Sequence, residues 1–229
     1  MANFKLDAAV ACLNLITPNQ IIGLGAGTTM AYLANLIAAE PDLASQLTFV
    51  SSSFKTRQYL LQKGLPVKMA AQINRLDIYF DGCDCFDPEL NALKSGGGIH
   101  TSEKILASMA DDFILTGDDT KFVQTLDTAY PLVIELLPEA LLIVEKTIKA
   151  WYPDTGFELR MAKQKDGAVI TENGNLLADL RFPAFSVLDE LNSHIKMIPG
   201  IVEHSLFYRM ATKAVVAGEQ GTRTILPIR

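Results

Sequence analysis

The chain has 229 residues, 49% of them apolar and 20% charged, with a formal net charge of -6. That composition suits a globular protein with a substantial core and excludes a disordered chain. The acidic balance excludes a nucleic-acid surface, which needs a basic face. No apolar run reaches the length of a membrane span, and the first residues carry no secretory-signal pattern. Three cysteines fit a reducing, cytoplasmic setting better than a disulfide scaffold.

In chain order, apolar positions at helical spacing over 3–16 predict a first helix, with Lys5 in its first turn; Thr17-Pro18-Asn19 ends it. Gln20 to Leu24 reads as a strand, and Gly25-Ala26-Gly27-Thr28-Thr29 turns it into a helix over 30–39. A strand, a glycine turn, a hydroxyl pair and a helix start together make an anion cradle, because N-terminal amides point outward and small residues let a phosphate approach. Gly23, Gly25 and Gly27 lack the spacing of a dinucleotide fingerprint, and Thr28 could equally be a plain helix cap. A strand over 47–50, the triple serine Ser51-Ser52-Ser53, a helix to Lys63 and a short strand over 66–69 follow.

The densest chemistry lies between 76 and 106. An apolar, strand-forming run, Ile78-Tyr79-Phe80, ends in Asp81-Gly82-Cys83-Asp84; then come Asp87, Lys94, Gly96-Gly97-Gly98 and, at a helix start, Glu103. In open α/β sheets ligands sit at the carboxyl ends of strands, so these acids are placed to reach a substrate. Crowded carboxylates that lose water acquire a raised pKa on at least one member, which makes a usable base. Lys94 and amides freed by glycine can hold an oxyanion. The acid spacing does not follow the ligand rhythm of a calcium-binding EF-hand, and Cys83, Cys85 and His100 lack a fourth zinc ligand.

A strand over 113–116 leads to Gly117-Asp118-Asp119-Thr120-Lys121, which puts a further lysine past a strand end. Alternating strands and helices up to here predict an α/β fold with a parallel, doubly wound sheet over 1–128. From 129 the rhythm changes. A strand in 130–137, a helix to Trp151, strands within 157–162 and 168–182 around an Asn-Gly turn, and a helix over 186–197 predict an inserted smaller α+β lid domain over 129–204. Ala214 to Ala217 and Arg223 to Pro227 predict a hairpin that returns 205–229 to the first domain.

The stretch from strand to helix resembles the signature of the ribose-5-phosphate isomerase A family: a strand into D-G-A-D-E, then K-G-G-G, then R-E-K at a helix start. This chain keeps Asp81, Gly82, Asp84, Lys94, Gly96, Gly97, Glu103 and Lys104, and departs at Cys83, Cys85, Ser95 and Ser102. The segment around Gly25 to Thr29 is similar to the family's phosphate loop, with Ala26 and Thr28 in place of threonine and serine. Ser51 to Ser53 resembles a second loop that faces the sugar, and T-E-N-G-N and I-P-G-I-V-E-H resemble pieces of the family's smaller domain.

The resemblance implies a Rossmann-like fold and interconversion of D-ribose 5-phosphate and D-ribulose 5-phosphate, in the non-oxidative branch of the pentose phosphate pathway. It implies Glu103 as the base, Asp81 and Asp84 as handlers of hydroxyl protons, and Lys94 with the amides of Gly96 and Gly97 at the enediolate oxyanion. The phosphate falls to Gly25, Ala26, Gly27, Thr28, Thr29, Lys121 and Lys5, with Gly82, Cys83 and Ser95 beside the sugar. No metal or organic cofactor is required, and a homodimer or homotetramer is expected. Two other classes stay open: a non-catalytic sugar-phosphate sensor of the same fold, and an acyl-CoA transferase with a glutamate nucleophile.

Overall fold

The structure is a computed structural model that describes residues 3–228. The outer ends of the expected domain ranges, residues 1, 2 and 229, lie outside it. The first half runs α1 (Phe4–Leu13), β1 (Ile21–Leu24), α2 (Thr28–Ala38), α3 (Pro41–Ala44), β2 (Thr48–Val50), α4 (Phe54–Gln62), β3 (Leu76–Asp81), β4 (Cys85–Phe86), β5 (Ala92–Leu93), α5 (His100–Met109) and β6 (Ala110–Asp118). The second half runs β7 (Leu132–Leu136), α6 (Leu141–Trp151), β8 (Gly156–Leu159), β9 (Leu176–Arg181), α7 (Leu188–Met197), β10 (Ile201–His204), β11 (Leu206–Phe207), β12 (Lys213–Gly218) and β13 (Gly221–Ile225).

Six strands form the main sheet in the order β13-β12-β6-β3-β1-β2, parallel except for the β12–β13 hairpin. Its central strands read as continuous apolar runs because helices cover both faces. On one face Met30, Leu33 and Ile37 of α2 pack with Leu24, Phe49 and Phe80. From β1 the chain moves outward to β2, then crosses to β3 on the other side of β1. That reversal opens a crevice at the carboxyl ends of β1 and β3, where α/β sheets bind ligands.

The second sheet is antiparallel, in the order β10-β7-β9-β8, and α6 and α7 bury Val144, Ile148, Leu191 and Ile195 with its Ile134 and Leu136. A third, small sheet, β11-β5-β4, joins the two. Two expectations change. Residues 66–69 form no strand, since only Val67 bridges to Phe49, and within 168–182 only β9 is a strand while Ala168 and Ile170 make isolated bridges. The two-residue strands β4, β5 and β11 are too short to leave a periodic signal.

Candidate active site

Three elements bring a lysine between two acids. Asp81 ends β3, Lys94 follows β5 with its amide donated to Ser205 O at 3.0 Å, and Glu103 lies in the first turn of α5. Lys94 Nζ stands 2.8 Å from Asp81 Oδ2 and 3.3 Å from Glu103 Oε1, and it also donates to Gly82 O. All three side chains are nearly dry, each at most 5% exposed. Burial works to lower the Lys94 pKa, but the two carboxylates outweigh it and hold the ammonium above its ordinary range. Glu103 goes the other way. Burial first, then the Asp81 charge, push it up to about 8 against the opposing pull of Lys94.

Asp81 is fixed on every side. Gly82 N and Ala26 N donate to its Oδ1 at 2.8 and 3.2 Å, and the Tyr79 hydroxyl donates to Oδ2 at 2.7 Å. Burial, then Asp81, raise the Tyr79 pKa, so it stays a phenol, with Ser52 Oγ 3.1 Å behind it. Asp84 accepts the amides of Ser95 and Gly96 through one oxygen. The Gly96 amide is therefore committed to Asp84 rather than free for an oxyanion, a correction to the expectation above. Among the described residues no acceptor takes the Gly97 N–H.

These groups face a cleft of about 260 Å³. Asp81, Gly82, Cys83, Asp84, Lys94, Gly96, Gly97 and Glu103 line it, together with Ala26, Gly27, Thr28, Thr29 and Lys5. Lys121 closes it together with Thr116, Gly117 and Asp118 at the end of β6. Gly27 caps α2 at φ 105° without any side-chain bond, and no acid occupies the first turn of α2. Its amides open on the same cleft as Lys5 and Lys121, and a positive helix start of this kind suits a phosphate.

Two expected residues do not line the cleft. Gly25 lies behind Asp81, where a Cβ would come 1.9 Å from Oδ1, so its bare backbone is what admits the carboxylate. Ser95 turns away, its hydroxyl donating to Pro131 O at 2.6 Å and its carbonyl accepting from Arg160 Nη2 at 3.1 Å. The triple serine is also buried, with Ser53 capping α4 rather than facing the cleft. Thr116, Gly117 and Asp118 escaped the sequence reading, although their place past a strand end was the available signal.

Residues 48–221 match the family described as ribose 5-phosphate isomerase A (phosphoriboisomerase A). The chain belongs to that family. It is 33% identical over 223 residues to ribose-5-phosphate isomerase A of Pyrococcus abyssi, spanning 96% of each chain. It is 35% identical over 217 residues to that of Thermosynechococcus vestitus, covering 94% of this chain and 91% of the relative. A D-ribose-5-phosphate isomerase solved in complex with phospho-erythronic acid superposes with a TM-score of 0.91 at 30% identity, over 98% of this chain and all of the other.

Within this family frame the two cysteines sit differently. Cys83 lines the cleft, while Cys85 is buried in β4. Burial is the main cause that raises both thiols, Cys85 to about 12, with Asp84 adding to it. The carboxylates contribute, but less than loss of water.

Proposed function

We propose that this protein interconverts D-ribose 5-phosphate and D-ribulose 5-phosphate through an enediolate, with Glu103 as the base that moves the proton between C2 and C1. One observation carries the assignment: Glu103 is a dry carboxylate pushed up to about 8, within 3.3 Å of a permanent cation, in a cleft that Lys5, Lys121 and the start of α2 also line. A base of that pKa abstracts a carbon-bound proton more effectively than an ordinary carboxylate and still returns it at neutral pH. As C2 loses its proton, negative charge moves onto the neighbouring oxygens, where Lys94 and the Gly97 amide can stabilise it. Asp81 and Asp84 are placed to exchange hydroxyl protons during ring opening. Lys5, Lys121 and the start of α2 grip the phosphate, and that remote binding orients the reacting carbons.

The reading includes a pentose 5-phosphate as ligand, a cytoplasmic setting and a homodimer or homotetramer. No described helix is long and apolar enough to cross a membrane. It also includes the inserted unit 129–204, supported by the second sheet, whose strands β7 to β10 all fall inside that range. The test is a coupled assay of ketose formation from D-ribose 5-phosphate, run beside equilibrium binding of the same sugar. Binding without turnover would mean a sensor, and acyl transfer from a CoA ester without isomerisation would mean a transferase.

A further inference from the structure

Glu103 stands on a helix start that lacks the usual support. The residue before α5, Ile99, offers no side-chain acceptor to the first-turn amides, which are orphaned at every helix start. The turn is held instead by its neighbours. Thr101 donates its hydroxyl to Glu135 of β7, and Lys104 donates to Glu203 Oε1 at 2.8 Å and His204 O at 2.7 Å on β10. Thr101 and Glu103 are two residues apart, about 200° around a helix, so one faces the second sheet while the other faces the cleft.

Glu135 and Glu203 are direct partners across the β7–β10 ladder. Like charges in that position repel, so the pair is costly unless each acid is compensated. Each receives one donor from the start of α5, Glu135 from Thr101 in the first turn and Glu203 from Lys104 just after it. Glu135, 1% exposed, also accepts from Thr171 Oγ1 at 2.9 Å, Asn173 Nδ2 at 3.1 Å and Asn175 Nδ2 at 2.7 Å, all in the turn before β9. None of these contacts reaches the cleft.

We infer that Glu135 is a positioning residue for the reaction: through Thr101 it anchors the first turn of α5 to the second sheet and so fixes where Glu103 meets the substrate carbon. The inference rests on Glu103 being the base. Its test is the pair Thr101→Val, which keeps the shape and loses the hydroxyl, and Thr101→Ser, which keeps the hydroxyl. Turnover in Thr101→Val is expected to fall roughly 10- to 100-fold, as for a misplacement of about 1 Å. KM should stay within about 3-fold, because the phosphate grip lies on other elements. Thr101→Ser should restore turnover, and C2 deuterium exchange should follow kcat in both.

Glu135→Gln disturbs the Thr171, Asn173 and Asn175 bonds as well as the Thr101 bond. It should therefore lower kcat at least as far as Thr101→Val does, and in a double-mutant cycle Thr101→Val should cost less in the Glu135→Gln background than in the parent. Should Glu135→Gln not fold, the Thr101 pair decides alone. Wild-type turnover in Thr101→Val, or a loss that Thr101→Ser shares, overturns the tether while an inactive Glu103→Gln leaves the base in place. A Glu103→Gln protein that still exchanges the C2 proton overturns the base itself, and the inference with it.

Discussion

Gly25 and Asp81 are so closely packed that a methyl group on Gly25 would lie 1.9 Å from Asp81 Oδ1 and 2.0 Å from its Cγ. The carboxylate has nowhere to retreat, because Tyr79, Gly82 N, Ala26 N and Lys94 already surround it. Gly25→Ala must therefore push Asp81 off Lys94. Stability should drop by about 1–3 kcal/mol, as for other overpacked sites. Turnover should fall about 100-fold or more, given the sensitivity of such sites to small displacements. Thermal unfolding and steady-state kinetics on one preparation check both. Wild-type kinetics would mean that the geometry around Asp81 is not needed for catalysis.

Lys121 lines the cleft from the short turn that follows β6. Its contact with a phosphate would be the same before and during proton transfer, so it belongs to uniform binding. Lys121→Ala should raise KM about 10-fold with kcat little changed, the loss of one charge-assisted bond at a partly solvated site. Inorganic phosphate should inhibit the variant more weakly than the parent. An unchanged KM at low salt removes Lys121 from the grip.

The Lys104–Glu203 pair predicts a pH-dependent stability. Burial acts to raise Glu203, but Lys104 overrides it and holds the carboxyl down at about 2, while burial pulls Lys104 down to about 8 despite its partner. A depressed carboxyl contributes stability above its ordinary value of 4.5 and loses it as pH falls through about 2. Glu203→Gln should cost about 3 kcal/mol at neutral pH, the low end for breaking a buried pair. The gap between variant and parent should close in acid. Urea titrations at neutral pH and near pH 3 measure it, and a gap independent of pH would mean that the loss is packing rather than charge.

Much of this site was legible because its parts are local. The Gly25–Thr29 turn follows a strand and opens a helix, and Asp81 ends a run whose apolar pattern is unmistakable. Glu103 precedes an amphipathic stretch. What could not be read depends on chain segments meeting at a distance. Gly25 looked like a phosphate contact, yet what it permits is the approach of Asp81 from a different strand. Gly96 looked like a free donor until Asp84 was seen to accept it. Tyr79 belongs by alternation to a buried face, and only the fold brings its hydroxyl to Asp81 with Ser52 behind it. Strands β4, β5 and β11 exist through pairing with one another and carry no period of their own.

Glu103 makes the sharpest prediction, because one substitution must change activity and stability in opposite directions. Its carboxyl sits at about 8 in the fold against an ordinary 4.5. In the free enzyme kcat/KM should rise with pH through about 8 as the base loses its proton, a limb separate from phosphate-ester ionisation near pH 6. Glu103→Gln keeps the shape and removes the basic lone pair, so turnover should fall roughly 10²–10⁴-fold and the upper limb should vanish. The stability sign follows from linkage: between about 4.5 and 8 the folded protein binds more protons at this site than the unfolded chain, so stability declines as pH rises. The group's contribution is fully present below about 4.5 and lost as pH passes through about 8. Gln does not titrate and escapes that loss. The variant's melting temperature should therefore gain on the parent's between pH 5 and pH 9 while its activity is nearly absent. Parallel melting curves across that range would mean that Glu103 is already ionised in the free protein, and the upper limb of the rate profile would then belong to another group.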